Sequence, residues 1–164
     1  MSEQVLVARA FLSRVAEPAS VPLWMALQEA GPVEVARRLR AGDFDGLGGE
    51  VSPARVAAAD PSADVEAADR YGIRLVVPES DEWPHFAFSA LEAAARRRAA
   101  SWRKGDRTRS ESGDPIPPVA LWVRGRLDLA TVGVRSVAIV GSRASTRTAR
   151  RLPANSRATW PSAN

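Results

Sequence analysis

SVAIVGSRAST, residues 136–146, is the stretch whose reading decides the fold. It is a near-continuous apolar strand that runs into Gly141 and then opens a helix. Strands buried on both faces belong to parallel sheets sandwiched between helices. A strand ending in Gly-Ser-Arg at a helix start is also the phosphate-binding geometry of doubly wound α/β folds. Glycine lets the backbone approach an anion, and the free amides and dipole of the helix start favour negative charge. Ser142, Ser145 and Thr146 add hydroxyl donors, and Arg143 adds a planar fork suited to phosphate. Gly141, Ser142, Arg143, Ser145 and Thr146 are therefore the candidate phosphate-binding residues. The dinucleotide fingerprint of three spaced glycines is absent, and an ordinary strand–helix bend has the same pattern.

Working outward, the first 70 residues read as four or five short helices. Val5, Leu6, Ala8, Phe11, Leu12 and Val15 repeat near the 3.6-residue period over 3–17, with Ser2 as N-cap and Pro18 as stop. Residues 20–30 make a second helix with Pro22 in its first turn, ended by Gly31, and 32–41 a third. Ser52-Pro53 opens another that Pro61 breaks, and 62–70 completes the set. The character changes at Ile73, where Ile-Arg-Leu-Val-Val (73–77) reads as a strand ended by Pro78. Residues 89–103 read as a helix with Ser89 as cap and Glu92 at the capping-box position. Residues 104–118 lack periodicity and read as a mobile loop. Residues 119–125 read as a second strand, and 126–132 as a brief helical turn.

Composition narrows the chemistry. The 164 residues contain no cysteine and one histidine, His85, so disulfides and cysteine zinc sites are excluded. No run approaches the roughly 18 apolar residues of a membrane helix. Glu3 stands where a secretory signal would be basic, so a cytoplasmic protein is expected. Neither a catalytic constellation nor a metal or cofactor site is expected, and the protein is read as a non-enzyme. Charge is split along the chain. Residues 1–95 carry 8 basic and 15 acidic side chains, whereas 96–109 carry seven basic ones against Asp106. Such a bipolar pattern steers a polyanion toward one end of a molecule. All but one of the 23 basic residues are arginine, beside 30 alanines, which is also the signature of a GC-rich genome.

Each remaining feature has a functional and a bland reading. The run 96–109 with Trp102 fits a phosphate backbone and a stacked base, or a solvated helix end. Glu82-Trp83-Pro84 reads as an aromatic packed on the sheet at a rigid turn. His85 reads as a surface or satisfied core histidine. Trp24 and Met25 read as core.

Three segments in order, YGIRLVVPESDEWPHF (71–86), PPVALWVRGRLDL (117–129) and SVAIVGSRAST (136–146), resemble the DprA (Smf) family of DNA-processing proteins. The resemblance spans about residues 1–146. It implies an α/β protein: a small N-terminal helical domain over 1–70, then the start of an extended Rossmann-like, doubly wound domain over 71–146. It further implies single-stranded DNA binding in natural transformation, competence and DNA recombination. The RecA recombinase would be a partner, a homodimer would form in the full-length family, and no membrane would be involved. By position, Gly141, Ser142, Arg143, Ser145 and Thr146 fall in the pocket that holds the DNA backbone. The chain departs from the family after Thr146, where tyrosine-glycine and a long helix are replaced by RTARRLPANSRATWPSAN (147–164). Residues 147–164 are thus expected to be a non-native or disordered tail, produced by a single-base frameshift near Thr146–Arg147. The expected product is a truncated, inactive fragment of the family or a pseudogene product without function. A nucleotide-binding hydrolase of the wider Rossmann-like group is the alternative of another class.

Overall fold

The computed structural model describes residues 2–47, 49–108 and 113–134. The phosphate-turn candidates Gly141, Ser142, Arg143, Ser145 and Thr146, and the tail 147–164, lie outside the described residues. In chain order the elements are α1 (Glu3–Val15), α2 (Val21–Arg40), α3 (Pro53–Ala58), α4 (Pro61–Arg70), β1 (Ile73–Val76), α5 (His85–Arg103), β2 (Leu121–Arg124) and α6 (Leu129–Gly133).

Helix starts follow local chemistry. Ser2, Ser20, Ser52, Asp60 and Asp128 each accept a hydrogen bond from the backbone amide three residues on. Such caps satisfy amides that have no partner within the helix. Pro22, Pro53 and Pro61 sit in first turns. Pro61, expected as a breaker, is therefore the first residue of α4, where a missing N–H costs no helical hydrogen bond. The two helices expected over 20–41 abut as one kinked element. Gly31 (φ 76°, ψ 165°) makes the kink and Pro32 follows it.

One helix start departs from expectation. α5 begins at His85, four residues before the anticipated cap Ser89. The Ser89 hydroxyl instead donates to the Phe86 carbonyl at 2.8 Å. Glu92 does not close a capping box; it lies 3.9 Å from His85 and 3.7 Å from Arg96. Pro84, with no N–H to satisfy, opens the helix without a side-chain cap.

β1 and β2 pair antiparallel, with Ile73 opposite Arg124 and Val76 opposite Leu121. Among the described residues the sheet consists of these two strands. The chain is thus mixed helix and sheet, but its described strands are not the parallel neighbours expected of a doubly wound domain. β2 alternates half-buried and exposed residues, as a strand with one wet face does.

The main core joins Phe11, Leu12 and Val15 of α1 to Leu23, Leu27, Val35 and Leu39 of α2, closed by Leu47 and Val51. A smaller cluster packs Ala10 of α1 against Leu75 and Val77. α1 therefore contributes to both clusters, the helical one and the one that includes Leu75 of β1. Burial of each large apolar side chain contributes roughly 1.5–3 kcal/mol.

Candidate functional site

Three arginines in sequence-remote places organise the described surface. Arg9, on α1, is buried and meets Glu79 through two bonds, Nε–Oε2 at 3.2 Å and Nη2–Oε1 at 2.6 Å. Its Nη1 donates to the Val119 carbonyl at 3.3 Å. Arg9 thus ties α1 to the residues after β1 and to the run entering β2.

Arg74, on β1, grips Glu82 with two nitrogens and donates to the Gly125 and Leu127 carbonyls. Glu82 also accepts from the Leu129 amide. The Arg74 guanidinium holds the Glu82 carboxyl below its ordinary range, against the opposing effect of burial, and the Leu129 amide adds to the lowering. The acidic-aromatic-proline turn and the turn after β2, read separately in the sequence, are therefore two halves of one clamp. It delivers the chain through α6 to Val134, two residues before the 136–146 stretch.

Arg98, on α5, is the third. It pairs with buried Asp114 at 2.6 Å and donates to the Asp106 and Thr108 carbonyls. Described residues on both sides of 109–112 are thereby fastened to one guanidinium. The guanidinium also lies 5.3 Å from the Trp102 ring centroid, and that of Arg107 lies 4.6 Å from it. Trp102 is thus occupied by cations rather than open for a base.

A cleft of about 510 Å³ opens between α1, the start of α2 and the residues entering β2. Trp83, Pro117 and Pro118 line it, with Arg96 and His85 among its polar groups. Trp83 is buried and stacks obliquely on Phe88 of α5 at 5.3 Å. Trp24 and Met25 depart from expectation. They are half-buried walls of separate cavities rather than core, because the α2 rows that face α1 are those of Leu23 and Leu27. His85 is exposed, as expected of a surface histidine. Among the described residues no three histidine or acidic side chains gather as a metal-binding group, and no helix is long and apolar enough to cross a membrane.

Two of the three ties had a readable signal. Arg9 interrupts the apolar face of α1. Arg98 lies in the row Leu91, Ala95, Arg98, Trp102, spaced four, three and four, so helical periodicity turns it inward. The third tie, at Arg74, and Asp114 opposite Arg98 carried no signal, because their partners are fixed only by the return of the chain.

The segments brought together by the Arg74 clamp, 71–86 and 117–129, are two of the three that carried the family resemblance. Over 137 residues, 84% of its length, the chain is 35% identical to a DNA processing protein DprA of Mycobacterium tuberculosis, in strains CDC 1551 and H37Rv alike. The chain is a homologue of DprA. It spans about a third (32%) of the length of these DprA relatives. No family model matches the sequence, and no solved structure matches it.

Proposed function

We propose that this DprA homologue takes part in DNA processing as a binding protein, not an enzyme, and that its ligand is single-stranded DNA. Its similarity to DprA over 84% of the chain carries the reading. In this reading, the backbone amides after Gly141, the hydroxyls of Ser142, Ser145 and Thr146, and the guanidinium of Arg143 hold phosphates at the end of a Rossmann-like strand. The clamp of Arg74 and Glu82 supports it by anchoring the chain just ahead of that stretch. The resemblance extends the proposal to RecA recombinase as a protein partner, to self-association as a homodimer, and to work in the cytoplasm during natural transformation and recombination.

The test is fluorescence anisotropy of a labelled oligothymidylate with the 164-residue chain over a series of salt concentrations. Arg143→Ala is expected to weaken binding and to shallow the logarithmic salt dependence by about 0.7, the single-strand value for one lost phosphate contact. An Arg143→Ala protein with the affinity and salt slope of the parent removes Arg143 from the site.

A further inference from the structure

The basic run on α5 is not consumed by the clamps described above. Of its cations Arg98 alone turns inward, with a side chain 12% exposed. Arg96 and Arg97, and seven residues later Arg103 at the end of α5 and Lys104 at its C-cap, continue two rows about 100° apart around the helix axis. A seven-residue step advances about 10.5 Å along an α-helix and returns to nearly the same face. All four residues are exposed. Two have acidic neighbours, Arg96 with Glu92 at 3.7 Å and Arg103 with Glu29 at 3.0 Å. These are exposed pairs, of the kind that holds its partners weakly and yields to salt. Arg97 and Lys104 have no ion pair among the described residues. Past the helix end, Arg107 is steadied against the Trp102 ring.

The cavity beside Trp102 does not itself suit an anion. Glu29, Asp43 and Asp45 line it together with Arg38, Arg103 and Arg107, so its charges balance. The cationic surface is the helix face that carries Arg97 and Lys104, with Arg96 and Arg103 at its edge, where they also line the two cavities.

We propose that Arg96, Arg97, Arg103 and Lys104 form a second contact for a single-stranded nucleic-acid backbone, separate from the 141–146 turn. The proposal rests on the single-stranded DNA reading above, and charge complementarity selects the occupant. The two rows present cations at two levels along the helix, a spacing that successive phosphates of a flexible strand can follow. Exposed cations of this kind act through counterion release, so their contribution is independent of base sequence. Arg98 donates to the Asp106 and Thr108 carbonyls, which flank Arg107 beside the Trp102 ring.

The experiment uses the same labelled oligothymidylate and the full 164-residue chain. The double variant Arg97→Gln/Lys104→Gln removes two exposed charges that no described ion pair uses, and circular dichroism confirms that the helices remain. Affinity is expected to fall, and the salt slope to shallow by about 1.4, twice the single-strand value per phosphate. The loss should be the same for oligothymidylate and oligodeoxyadenylate. A double variant that matches the parent in affinity and slope, while Arg143→Ala weakens binding, overturns this second contact alone. A weakened double variant beside an unaffected Arg143→Ala protein sustains it and discards the 141–146 turn. A parent chain that ignores oligothymidylate but binds phosphatidylserine vesicles, with the double variant released from them, makes the rows a membrane-surface patch and overturns the nucleic-acid proposal.

Discussion

At Glu82 one carboxylate receives two nitrogens of Arg74 and the Leu129 amide. Its folded pKa lies below the ordinary 4.5, held there by Arg74 against burial. Stabilisation from a lowered carboxylate is complete above the ordinary value and is lost as pH falls through the folded one. Glu82→Gln should therefore melt at a lower temperature than the parent at neutral pH. The difference should shrink as pH falls below the ordinary carboxyl value and through the folded one, where the parent carboxyl is protonated too. Thermal melts followed by circular dichroism check this, and a gap that is constant with pH would contradict it. Asp114 makes a different case, since its side chain is 4% exposed against an Arg98 that is 12% exposed. Removing one partner of a buried pair leaves the other charge uncompensated, at a cost of about 3–5 kcal/mol. Arg98 still keeps the exposed Asp106 carboxylate at 3.7 Å and the Asp106 and Thr108 carbonyls, so Asp114→Ala should lose about 3 kcal/mol in urea denaturation, at the low end of that range. A loss under about 1 kcal/mol would place the pair among surface pairs in effect.

At the scale of elements, the helices of the first 70 residues were legible because their signals are local. Ser20 and Ser52 cap, and Pro22 and Pro53 fill first turns, within one turn of chain. Ser89 misled because a serine followed three residues later by Glu92 looks the same whether the helix starts there or has already started. Tertiary packing decided between these outcomes, since Trp83 is buried and α6 sits against the first turn of α5, with a Cβ at Gly133 meeting Pro84 and Ala87 at 3.3 Å. Gly31 is a second element-scale device. Its φ of 76° with ψ of 165° falls where essentially only glycine is at ease, and nothing lies within 4 Å of a Cβ built there. Gly31→Ala should consequently lose about 1–3 kcal/mol through backbone strain alone, measured by urea denaturation. A neutral Gly31→Ala would mean that the kink between the halves of α2 relaxes without penalty.

Over the whole molecule, α1 packs on α2 through Phe11 and Leu12 and on the strand pair through Ala10, while Arg9 ties it to Glu79 and Val119. Helical and β elements joined through one helix this way are expected to unfold together. Helical circular dichroism and tryptophan fluorescence, dominated in the interior by Trp83, should lose their signals at one denaturant midpoint. Separate midpoints would mean that the helices before residue 70 and the strand pair are independent units. The sequence alone determined the order of elements, most helix starts, the absence of disulfides, and the concentration of positive charge after residue 95, because these depend on residue identity and on periods of a few residues. It also carried the resemblance to the DprA family, in segments 71–86, 117–129 and 136–146. Tertiary structure alone decided that β1 and β2 run antiparallel, that Arg74 joins those two segments, and that Arg98 turns inward on Asp114 while Arg97 and Lys104 stay outside. Strand direction and ion-pair partners are set where distant parts of the chain meet, and the free energy of burying a charge depends on the partner waiting there, which no local spacing encodes.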